Sequence, residues 1–155
     1  MNNQIIITKA GNEQRQAVVA LLQTEQLPVE DLPASFNNFF VAMANDKVVG
    51  VIGLEQYEQY GLLRSMVVDK PYRNKNIASQ LVQQLESYAA TLGINWLYLL
   101  TETASVYFEA KGYERISRED APAALSASSE FSHVCPVSAI VMKKPLAHIY
   151  AFGYI

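Results

Sequence analysis

Val67-Val68-Asp69-Lys70-Pro71-Tyr72-Arg73-Asn74-Lys75-Asn76-Ile77-Ala78-Ser79-Gln80-Leu81 decides the fold of this chain. An apolar run ends on two valines, passes through a basic turn and enters a segment with helical periodicity. Apolar Ile77, Leu81, Val82, Leu85, Tyr88, Ala89 and Leu92 recur on one face of that segment, while Ser79, Gln80, Gln83, Gln84 and Glu86 fall largely on the other. The spacing predicts a strand ending at Val68 and a helix opening near Ile77. The first N–H groups of a helix have no intrahelical partner, and the dipole there is positive. A strand, a basic turn and a helix start in succession therefore make a place where a pyrophosphate can sit. Such a turn is a weak signal taken singly.

On either side of this stretch the chain alternates strand-like and helix-like pieces, with no linker, low-complexity block or internal repeat. Strands are predicted at 5–8, 39–44, 48–57, 62–68, 96–100, 113–117 and 139–143, and helices at 13–23 and 105–111, with 33–38 ending a loop or a second short helix. Asn45-Asp46-Lys47 and Gln59-Tyr60-Gly61 read as hairpin turns. Gly93 and Gly112 stop helices, and Pro145 ends the pattern. The chain has 155 residues, half of them apolar, which suits one domain, 1–155, with a single core.

At Arg73-x-x-Asn76-x-Ala78 the chain resembles the GNAT superfamily of acetyl-CoA-dependent N-acetyltransferases, whose signature there is Gln/Arg-x-x-Gly-x-Gly/Ala. Asn76 stands where that signature has glycine, and Asn74 where a further glycine is usual. Asparagine tolerates positive φ better than most residues, but its Cβ and amide fill space that glycine leaves open. The order of predicted elements over 5–143 is also the GNAT order. Thr101-Glu102-Thr103-Ala104, Tyr107-Phe108 and Gly112-Tyr113 resemble the superfamily's later block, Asn-x-x-Ala…Tyr…Gly-Phe. Gly61-Leu62-Leu63-Arg64-Ser65, Leu100-Thr101-Glu102-Thr103-Ala104 and Cys135-Pro136-Val137-Ser138-Ala139 are similar to a subgroup encoded near arsenic-resistance genes, itself close to the N-acetylglutamate synthase type. The resemblance implies an α/β (α+β) GNAT fold: a mixed, mostly antiparallel central sheet of about six to seven strands flanked by helices.

It also implies direct transfer, in which a neutral amine attacks the thioester of acetyl-CoA and CoA leaves as thiolate. Main-chain groups of Met66, Val67 and Val68 would meet the cofactor and the oxyanion. Arg73, Asn74, Lys75, Asn76, Ile77 and Ala78 would hold the pyrophosphate. Glu55, inside an apolar run, is the first candidate for general base, with a raised pKa if it is desolvated; a solvated glutamate at a strand end is the other reading. Glu102, just past the 96–100 strand, is the second candidate, as a substrate contact. The tyrosine that many GNATs use to protonate the thiolate aligns with Phe108, which is then a cofactor contact. Tyr107 is the adjacent candidate acid, and packing is its alternative role. Arg64 offers a planar fork for the carboxylate of an amino-acid-like acceptor, or pairs with Glu55 across the hairpin.

A net charge of −3 with scattered lysines and arginines leaves no footprint for nucleic acid. One cysteine, Cys135, allows no internal disulfide, and with His133 it supplies too few ligands for a metal site. No membrane span and no signal peptide are expected, which points to the cytoplasm. Residues 147–155 are too apolar for a solvated tail and are expected to pack, on their own domain or in a homodimer interface. The reading from sequence is an acetyltransferase acting on a small amine. Its alternative is a CoA-binding or interaction domain that has lost catalysis with its glycines and tyrosine.

Overall fold

The computed structural model describes residues 4–128 and 139–146. Strands β1 (Ile5–Lys9), β2 (Phe39–Ala44), β3 (Lys47–Tyr57), β4 (Tyr60–Val68), β5 (Trp96–Thr101), β6 (Glu114–Ile116) and β7 (Ile140–Pro145) form one sheet in the order β1-β2-β3-β4-β5-β7-β6. The helices are α1 (Arg15–Thr24), α2 (Ile77–Thr91) and α3 (Ser105–Ala110). β4 and β5 run parallel, whereas the β1–β2, β2–β3, β5–β7 and β6–β7 pairs are antiparallel, so the sheet is mixed as expected. Contacts group the chain into two compact units, Met1–Leu54 with Arg64–Ser87 and Glu55–Leu63 with Tyr88–Ile155.

In the first unit, β2 is apolar almost throughout because helices cover both of its faces. Val18, Leu21 and Leu22 of α1 pack with Phe39, Val41 and Val51. Phe36 stacks on Phe39 with centroids 4.7 Å apart. On the opposite face α2 comes close to Gly50, where a Cβ would lie 3.2 Å from Leu81 Cδ1 and 3.3 Å from Ala42 Cβ. Gly53 lies directly under the Phe39 ring, and a Cβ there would come within 2.5 Å of Cζ. Of the face of α2 read from its periodicity, Ile77, Leu81, Val82 and Leu85 are buried in this unit; further along, Ala89 is buried and Tyr88 and Leu92 are half-buried.

In the second unit, β5 pairs with β7 from Trp96↔Pro145 to Thr101↔Ile140. Leu62, Tyr98 and Leu125 form a small core beneath Tyr57, Tyr60 and Trp96. Phe108 stacks edge-on against Tyr113 at 5.3 Å, and Gly112, at φ +97, lets the chain reverse between α3 and β6.

Two boundaries differ from the sequence reading. The hairpin expected at Gln59-Tyr60-Gly61 turns instead at Glu58 and Gln59, with Glu58 at φ +60, and β4 begins at Tyr60. The cause is non-local: Tyr60, Gly61 and Leu62 pair with Trp96, Leu97 and Tyr98 of β5. The first helix opens as a 3-10 turn at Asn12–Gln14 before α1, with the Gly11 N–H donating to Gln14 Oε1 at 2.7 Å. His133, Cys135 and the 147–155 segment lie outside the described residues.

Candidate active site

β4 does not alternate cleanly. Ser65 has φ +58, left-handed backbone inside a strand, and the half-buried pair Ser65-Met66 interrupts an otherwise buried run from Gly61 to Val68. Beyond this kink Val67 and Val68 return to the core. The strand end is then pinned twice. The Asp69 N–H donates to the Val49 carbonyl at 2.8 Å, and Arg73 Nε donates to the Val68 carbonyl at 2.8 Å.

From there the chain turns tightly. Asp69 Oδ1 accepts from the Lys70 N–H at 3.1 Å, and the Tyr72 and Arg73 N–H groups donate back to the carbonyls of Asp69 and Lys70. Asn74 and Asn76, the two asparagines at glycine positions, have φ +63 and +68. They thus keep the left-handed backbone for which glycine is the usual residue. The Asn76 carbonyl accepts the first helical bond, from the Gln80 N–H at 3.2 Å. Among the described residues no hydrogen bond takes the N–H groups of Asn74, Lys75, Asn76, Ile77 or Ala78. The positive end of α2 and these open donors suit a pyrophosphate, and the exposed Lys75 adds a cation. Arg73, expected at the phosphates, is engaged in bracing the turn: besides Val68, its Nη2 meets Glu25 Oε2 at 2.9 Å.

Arg64 is buried, its side chain 0% exposed. Its Nη2 donates to Asp31 Oδ1 at 2.8 Å, its Nη1 to the Asp31 carbonyl at 3.4 Å and its Nε to Ser65 Oγ at 2.9 Å. A buried guanidinium needs such a counter-charge, since desolvation without one costs several kcal/mol. Asp31 lies far from Arg64 in sequence, on the loop between α1 and β2, and nothing in the local pattern marks it.

The remaining candidates belong to the second unit. Glu55 is half-buried at the far end of β3, not fully desolvated, and Tyr57 Oη donates to its Oε1 at 2.6 Å. Glu102 is exposed just past β5, where Thr101 Oγ1 accepts from the Ala104 N–H at 2.9 Å and shapes the entry to α3. Tyr107 is half-buried, edge-on to Phe108 at 5.2 Å and with Lys111 Nζ 5.5 Å from its ring centroid. Phe108 is in the core. Tyr98, which the sequence reading treated only as part of a strand, has a phenol pushed above its ordinary pKa, first by burial and then by Tyr60. Sequence reasoning also missed Asp31, Glu25, Ser65 and Tyr57 as partners of the residues it named. No group of three or more metal-ligating side chains occurs among the described residues, and no described helix is long and apolar enough to cross a membrane.

A kinked strand, a left-handed turn and a helix with open N–H groups thus follow one another at the end of β4. The family follows from comparison: residues 35–115, just over half of the chain, match the acetyltransferase (GNAT) domain, and the chain belongs to that family. It is 30% identical over 95 residues to an uncharacterised N-acetyltransferase of Chlorobaculum tepidum, covering 61% of each. It is 25% identical over 95 residues to an amino-acid acetyltransferase of Aeromonas salmonicida, covering 60% of this chain and 22% of the relative. The chain thus spans less than two thirds of the length of these relatives. Among solved structures, N-acetylglutamate synthase from Neisseria gonorrhoeae, complexed with coenzyme A and N-acetyl-glutamate, superimposes with a TM-score of 0.81 at 13% identity, over 96% of this chain and 36% of that one.

Proposed function

We propose that this chain transfers the acetyl group of acetyl-CoA to the amine of a small acceptor by direct attack. The observation that carries the proposal is the 73–78 turn. Both asparagines keep left-handed backbone, and the N–H groups of 74–78 have no acceptor among the described residues. Replacement of the two glycines by asparagine has therefore not cost the turn its shape, which favours retained cofactor binding over a degenerate site.

In the proposed reaction the amine gives up a proton to a base and attacks the thioester carbonyl carbon. The tetrahedral oxyanion is met by main-chain N–H groups of the Met66–Val68 segment, and the C–S bond then breaks to release CoA thiolate, which takes a proton. Glu55, held by Tyr57, is the proposed base. Tyr107 or solvent returns the proton to sulfur, and Glu102 is proposed to contact the acceptor. An amino-acid-like acceptor is supported by what the Aeromonas relative and the Neisseria enzyme are named for. The phrases shared with the arsenic-associated subgroup support a place in it, and the absence of a membrane-spanning helix among the described residues is compatible with a cytoplasmic enzyme.

Two measurements test the reading together. Acetyl-CoA, binding only the native state, should raise the melting temperature by mass action. Thiol release from acetyl-CoA, followed colorimetrically across a panel of amino acids and small amines, should exceed the acceptor-free rate for at least one of them. No thermal shift at millimolar acetyl-CoA would remove the cofactor assignment; a shift without turnover on any amine would leave a binding domain in place of an enzyme.

A further inference from the structure

We propose that Asp31 is a positioning residue for acetyl transfer: acting through Arg64, it holds the left-handed kink at Ser65 and so aims the N–H groups of the segment that follows. The proposal rests on the acetyl-transfer reading and extends it to a residue outside the cofactor turn.

A serine does not keep φ +58 inside a strand unless its surroundings hold it there. The group in contact with its side chain is the Arg64 guanidinium, whose Nε donates to Ser65 Oγ at 2.9 Å. Arg64 can act as a fixed point because its side chain is wholly buried and because Asp31 meets it with both a carboxylate oxygen and a carbonyl. Asp31 itself is 10% exposed, so the pair is shielded from solvent and little screened. Downstream, the strand end is anchored independently by the Val68 carbonyl on Arg73 and the Asp69 N–H on Val49. The Met66–Val68 segment is thus held at both ends, and the direction of its N–H groups depends on the backbone angle at Ser65. A donor to the thioester carbonyl must be aimed before the reaction to be effective, which is the service a rigid kink performs. The buried pair also explains why a charged residue stands among Leu62, Leu63, Val67 and Val68: its partner comes from a loop that the fold brings over the strand.

The test is isotope-edited infrared spectroscopy of acetyl-CoA carrying carbon-13 at the thioester carbonyl, bound to the full-length chain. Hydrogen bonding to that carbonyl lowers its stretching frequency, so the wild-type protein should show a downshift from free acetyl-CoA. The double variant Asp31→Ala/Arg64→Met removes both charges together and so avoids leaving an unpaired buried guanidinium. It should fold, keep its Kd for CoA within about threefold of wild type because the 73–78 turn is untouched, and lose most of the downshift. Ser65→Ala, which removes only Oγ and leaves the ion pair in place, should lose it as well. Retention of the full downshift in either folded variant overturns the proposal and leaves the Asp31–Arg64 pair a stabilising contact alone. A wild-type protein that binds acetyl-CoA without any downshift also overturns it, whereas one that does not bind CoA removes the acetyl-transfer reading itself.

Discussion

Replacing Asn76 by alanine probes whether the left-handed turn is a requirement of the cofactor site. Asn76 sits at φ +68, immediately before α2, and its carbonyl starts the helical hydrogen-bond ladder. Asparagine and alanine both carry the Cβ that crowds the following carbonyl in this conformation, but alanine lacks the polar side chain that lets asparagine adopt it, so the substitution costs up to about 1–2 kcal/mol. The strain must appear in one of two places. If the turn keeps its shape, stability falls by that amount, which for a domain of this size lowers Tm by about 2–8 °C. If the free protein relaxes, the competent turn becomes a minor conformer and the apparent Kd for CoA rises by about 5- to 30-fold. Asn76→Gly keeps the left-handed backbone without the Cβ and should bind CoA at least as tightly as wild type, with little net change in Tm, because relief of strain offsets the greater freedom of the unfolded chain. Isothermal titration with CoA and thermal melts of the three proteins decide the matter. An Asn76→Ala protein that both binds CoA and melts like wild type would refute the claim that backbone conformation at this position makes the site.

Arg73→Ala should weaken CoA binding several-fold by freeing the Val68 carbonyl and the turn, while its half-exposed pair with Glu25 should add no more than about 1 kcal/mol to stability; unchanged affinity by titration would show that the turn stands without its brace. Glu55→Gln should lower kcat by about 100-fold or more while leaving CoA affinity intact, measured by thiol release under saturating acceptor, and an unchanged kcat would remove Glu55 from the mechanism. Gly53→Ala drives a methyl into the Phe39 ring and should cost about 1–3 kcal/mol, read as a lower melting temperature with CoA affinity preserved. Tyr98 keeps its proton more tightly when folded than a free tyrosine, whose pKa is about 10, so above that pH the unfolded chain releases a proton that the folded chain retains, and stability falls as pH rises. Tyr98→Phe should flatten this alkaline loss in melts taken above pH 10, after allowance for its change in packing; an equally steep loss would assign it to other groups.

Local pattern alone determined a good part of this protein. The 3.6-residue spacing from Ile77 onward located α2 and its buried face, because one helix face must enter the core whatever covers it. The apolar run at Phe39–Ala44 was legible as a strand to the residue, and the segment between Val68 and Ile77 was legible as the turn from a strand into a helix, because the apolar period changes there from a continuous buried run to one helix face. Tertiary structure decided the rest. That asparagine serves at both glycine positions is a matter of φ, which a side chain permits but does not dictate. The start of β4 at Tyr60 was set by pairing with Trp96, far along the chain, and no turn signal could announce it. Arg64 was visible as an arginine in an apolar strand, but its partner could be Asp31 only once the loop before β2 had folded over it. Charge pairs and strained backbone depend on which distant segments meet, and that is decided when the core closes, whereas periodicity is a property of each segment by itself.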